Sequence, residues 1–143
     1  MTQPNAVCEN PHDSLAWTIA LRLEGAGLHC PVNRTDIKLH RLDSFFPDLI
    51  IYQGSAGKTR FVAIGKIWKN SSVSLAGLKH DIADYLTAAG NYQTSLFLFV
   101  EKNLFEKMTA LAKKIVPAPA VFWFKRAANL HWELDPNLLA AVG

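Results

Sequence analysis

The sequence predicts a single α/β domain: a mixed β-sheet with helices packed on its faces. Three observations lead there. Stretches with apolar residues at helical spacing alternate with short β-branched and aromatic runs. Residues 94–100 (TSLFLFV) form a nearly all-apolar run of strand length, the mark of a central strand covered on both sides. A short glycine-bearing loop joins two consecutive strands as a hairpin, so antiparallel pairing must coexist with any helical crossover.

Residues 1–11 read as a loose lead-in, with Pro4 and Pro11 discouraging regular structure, and residues 12–143 as the single domain. Asp13 or Ser14 caps a helix running to about Ala26, where Gly25 and Gly27 end it. Its apolar face is Leu15, Ala16, Ile19, Ala20 and Leu23. Residues 28–33 form a short strand, followed by a polar, basic connection to Phe46. Residues 47–52 form the next strand, and residues 60–68 return beside it after a turn containing Gly54 and Gly57. Leu75, Leu78, Ile82, Tyr85 and Leu86 fall at helical spacing within residues 73–89, and Gly90-Asn91 ends that helix. After the central strand, Asn103 with Glu106 three residues on caps a helix to Val116. Pro117 and Pro119 separate it from a strand at residues 121–124, and a turn at 127–129 leads to another at 130–134. Asp135-Pro136 opens a short final helix. The expected order is α-β-β-β-α-β-α-β-β-α.

Composition narrows the function classes. With 50% hydrophobic and 19% charged residues the chain is globular rather than disordered. No apolar run approaches the roughly 20 residues that span a bilayer, so no membrane partner is expected. The start of the chain has neither the basic nor the apolar region of a secretory signal, and Cys8 and Cys30 read as free thiols; both point to the cytoplasm. The five histidines show no zinc-ligand spacing, and neither a phosphate-binding glycine loop nor a nucleophile elbow is present. Positive charge is uneven: residues 1–30 carry Arg22 against three acids, whereas Arg34, Lys38, Arg41, Lys58, Arg60, Lys66 and Lys69 crowd residues 31–70. A basic segment of this kind suits a polyanion, because cations at phosphates release counterions.

Pro47-Asp48 opens one strand of the hairpin, and Lys66, in Ala63-Ile64-Gly65-Lys66, lies on the other. Strand alternation puts Lys66, Ile64, Val62 and Arg60 on one face. In these residues and in its element order the chain resembles the PD-(D/E)XK nuclease superfamily, the restriction-endonuclease-like fold, over roughly residues 12–101. The resemblance implies a mixed β-sheet flanked by helices and phosphodiester hydrolysis with magnesium held by carboxylates. It makes Asp48 a metal ligand and Lys66 the amine that orients or deprotonates water. Where the family carries a second acid beside that lysine, this chain has Ile64. Some restriction enzymes fill such a gap from the following helix, where this chain has Asp81, and many members carry a site glutamate on the first helix, here Glu24. Asp81-Ile82-Ala83-Asp84-Tyr85 is also similar to the Gln-x-x-x-Tyr motif of RecB-type nucleases, with aspartate for glutamine.

The expected catalytic set is therefore Asp48, Lys66, Asp81 and Glu24, with Asp48 and Asp81 as metal ligands. Arg34, Lys38, Arg41, Lys58, Arg60 and Lys69 are the expected nucleic-acid contacts. Three readings follow: a magnesium-dependent nuclease with a rearranged acid, a nuclease-derived protein that binds nucleic acid without cutting, and an inhibitor or immunity protein reusing the fold. The partner is nucleic acid in the first two. In the third it is a protein, and a homodimer is a further possibility.

Overall fold

Helix α1 (Pro11–Gly25) starts at a proline, ahead of both residues expected to cap it. Proline presets the helical φ at a position whose N–H has no intrahelical partner. The computed structural model describes residues 11–42, 45–55, 58–69, 73–128 and 131–142. The expected lead-in before Pro11, with Cys8, lies outside the described residues, as do Gly57 and Leu130 and the side chain of Lys58.

After α1 come β1 (Leu49–Ser55), β2 (Lys58–Ile67), α2 (Leu75–Asn91), β3 (Ser95–Glu101), a 3-10 turn (Lys102–Leu104), α3 (Phe105–Ala112), β4 (Ala120–Arg126), β5 (Trp132–Leu134) and α4 (Asn137–Val142). The five strands form one sheet in sequence order. The β1–β2 and β4–β5 pairs are antiparallel, while β2–β3 and β3–β4 are parallel, so the sheet is mixed.

The layering follows from connection handedness. Both parallel crossovers step the same way across the sheet, so right-handed connections place α2 and α3 on the same face. There Leu78 and Ile82 of α2 and Met108 of α3 pack on Ile50, Ile64, Leu98 and Val100. The opposite face is covered by α1 and α4, through Leu15, Ile19, Leu23 and Leu138 against Leu49, Ile51, Phe97 and Phe99. Strand β3 is buried at its five central residues, as its apolar run requires. No helix among the described residues is long and apolar enough to cross a membrane.

Several elements differ from expectation for identifiable reasons. Residues 28–33 run antiparallel beside β1 but pair only through isolated bridges at His29 and Val32. His29 and Tyr52 exchange both backbone hydrogen bonds, and Pro31 accepts from Ile50 but has no N–H to return. Asp13 does not cap α1; its carboxylate accepts from Thr35 N (3.0 Å) and Thr35 Oγ1 (3.1 Å). The Asn103 cap is absent because the 3-10 turn absorbs that residue, and α3 ends at Ala112 rather than Val116. Strand alternation in β2 is interrupted as well. The register passes from Ile51↔Ala63 to Tyr52↔Phe61, leaving Val62 as the extra residue of a bulge. Val62 consequently packs toward α1, whereas Ile64 packs toward α2.

Gly65 stands opposite Leu49 in the hairpin, and a Cβ there would overlap the fully buried Leu49 side chain, with Cγ at 2.7 Å. We expect Gly65→Ala to destabilise the fold by about 1–3 kcal/mol through overpacking. Adding Leu49→Val should recover part of the loss in urea denaturation. A single variant as stable as the wild type contradicts this packing.

Candidate functional site

The hairpin register decides where the motif residues sit. Leu49 pairs with Gly65, so the next step outward sets Asp48 opposite Lys66. Lys66 lies alongside Leu98 of β3 in the parallel ladder, close to its carboxyl end. The pair thus occupies the rim formed by the carboxyl ends of β2, β3 and β4.

Two groups meet the Asp48 carboxylate. Its Oδ2 accepts a 2.7 Å hydrogen bond from the Ile67 backbone N–H, tying the start of β1 to the end of β2. Its Oδ1 lies 3.2 Å from His12 Nε2, and His12 Nδ1 lies 3.3 Å from Asp13 Oδ1. An imidazole between two carboxylates donates to both only when both ring nitrogens carry protons. Burial pushes the Asp48 carboxyl up, but the hydrogen bond and charge of His12, the Ile67 N–H and Lys66 together outweigh it. The net result is a carboxyl held below its usual value.

Lys66 extends over the ring of Tyr85, with Nζ 4.7 Å from the centroid. Phe45 makes a T-shaped contact with Tyr85, the ring centres 5.1 Å apart. Burial, then Asp48 and Asp84, push the Tyr85 hydroxyl well up, so it stays protonated. The rim therefore holds an anion, an amine, an imidazole and a neutral phenol.

Pro47 is positioned by Asn33, whose buried side chain meets its whole hydrogen-bonding capacity. Its Nδ2 donates to Pro47 O (2.7 Å) and His40 O (2.6 Å), and its Oδ1 accepts from Leu39 N and His40 N. The Asn33 N–H donates to Asp48 O. These bonds pin the basic connection 34–42 to the start of β1.

The other expected residues are scattered. Ile64 is fully buried under α2, where a carboxylate would lose its hydration. Asp81 is exposed on the flank of α2, one turn before Tyr85. Glu24 sits at the end of α1, about 18 Å along the helix from His12 at 1.5 Å per residue. It neighbours Cys30, whose thiol burial and Glu24 push up to about 12. Lys38, Arg41 and Lys69 are exposed on the connections that meet near Asp48. Arg34 is committed to Asp36, with contacts of 3.0 and 2.7 Å. Arg60 and the backbone of Lys58 lie at the far end of β2, roughly 20 Å from Lys66 at strand rise.

The fit to magnesium is poor. Both Asp48 oxygens face hydrogen-bond donors, the Lys66 charge bears on the same carboxylate, and among the described residues no three His, Cys, Asp or Glu side chains are arranged to hold a metal. Sequence reasoning missed His12 and Asp13 as site residues. The signal was there, in a His-Asp pair directly after a proline at a helix start.

In comparisons with known proteins the chain matches no family model, no curated protein and no solved structure.

A carboxyl held low contributes stability that is present above its unfolded value, about 3.9, and is lost as pH falls through the lower folded value. Wild type should therefore exceed Asp48→Asn in urea-unfolding stability near neutral pH, and the gap should narrow in strong acid. A gap independent of pH contradicts this account of Asp48.

Proposed function

We propose that the chain is a nuclease-derived protein of the PD-(D/E)XK-like kind that binds nucleic acid without cutting it. The observation that carries the proposal is the state of Asp48. It occupies the motif position beside Lys66, yet it is bound by Ile67 N–H and faced by His12, while Ile64 fills the place of the second acid. A carboxylate used this way locks strands together; it does not present two free oxygens to a cation. Support for a polyanionic partner comes from the exposed Lys38, Arg41 and Lys69 around the same rim, and from the net charge of +3.

Fluorescence anisotropy with labelled DNA and RNA oligonucleotides tests this reading. Affinity should fall steeply with salt and stay unchanged between EDTA and magnesium, with the oligonucleotide intact. Salt-insensitive or absent binding removes the nucleic-acid reading. Magnesium-dependent cleavage abolished by Asp48→Ala restores the enzyme.

A further inference from the structure

Farther along the same rim, past the first turn of α1, lies a cleft of about 530 Å³ at the carboxyl ends of β3 and β4. Lys102, Lys125 and Arg126 line it together with Phe124 and Trp132, against the single carboxylate of Glu101. Two of its cations are held on indole rings. Arg126 lies 4.3 Å from the centre of the Trp132 ring, and Lys102 lies 4.3 Å from that of Trp123. Trp132 is itself fixed, its Nε1 donating to Ser14 Oγ (3.3 Å) and its ring meeting Phe124 edge-on. Among the described residues none of the three cations is in an ion pair.

We infer that this cleft seats one nucleotide of a single-stranded nucleic acid, with phosphate against Lys102 and Lys125 and the base against the Arg126–Trp132 stack. The inference rests on the nucleic-acid reading above and adds where the strand binds and in which form. Cations already resting on aromatic rings lose less freedom when they engage a phosphate. Planar groups beside a basic groove are what unpaired bases use, since a base inside a duplex has no exposed face to stack. A cleft of this volume matches a small-ligand site rather than the broad footprint of a double helix. Ser14 and His12 share the first turn of α1, so the cleft and the Asp48 rim are adjoining parts of one surface.

The test measures single-stranded oligonucleotide binding to the full chain and to two doubly substituted forms, each losing two exposed lysine or arginine charges. Lys102→Ala/Lys125→Ala, which removes both phosphate contacts, should weaken binding about tenfold and make the log–log salt slope shallower by about 1.4, whereas Lys113→Ala/Lys114→Ala should stay within about twofold of wild type. Unlabelled duplex of the same sequence should displace the strand poorly. Equal losses in both variants, or none in the first, overturn the cleft while leaving nucleic-acid binding intact. Displacement by duplex as effective as by single strand overturns the single-strand assignment. If the wild type binds no nucleic acid, both this inference and the reading beneath it fall.

Discussion

Most of the rim is organised by one carboxylate. Asp48 closes the open end of the β1–β2 hairpin by accepting the Ile67 N–H, beyond the last paired residues of the ladder. The same group faces the first turn of α1 through His12, so a helix on one face of the sheet is joined to a hairpin whose lysine lies on the other. Charge-assisted bonds to a largely buried carboxylate are among the stronger polar interactions in proteins, and an unmatched charge at that place is costly. The surrounding groups satisfy the carboxylate and leave little of it for a ligand.

On the proposed reading, this arrangement keeps Asp48 and Lys66 at a common edge while committing the aspartate to structural bonds. Rigid strands that present an aspartate at the sheet edge, the geometry a metal site needs, also bring it within reach of the Ile67 N–H and the His12 ring. Ile64 packs in the core beneath α2, where apolar bulk is favoured, and Asp48 makes structural bonds. Lys66 likewise rests on Tyr85, where ring and carboxylate together accommodate its charge.

The sequence was most informative where a single physical pattern dominated. The apolar run of β3, the 3.6-residue stripe of α2 and the Pro47-Asp48 to Lys66 hairpin all describe local regularities, and each element lies close to its expected place. It was least informative where tertiary partners decide. The bulge at Val62 depends on the register with β1, Pro31 breaks a ladder whose other half is in a distant segment, and Asp13 serves Thr35 rather than its own helix. The basic residues show the same limit. Proximity in sequence grouped Arg60 with Lys69, but strand direction separates them to opposite ends of β2. The basic side chains of the β3–β4 cleft are brought together instead by parallel pairing and a cross-strand hairpin.

The most direct measurement is a carbon-13 NMR titration of the Asp48 side-chain carboxyl, with and without magnesium. If the carboxylate is held by Ile67, His12 and Lys66, its midpoint lies below the ordinary aspartate value of about 3.9 and its resonance does not move when magnesium is added. A midpoint at or above that value, or a specific magnesium-induced shift at neutral pH, contradicts the account.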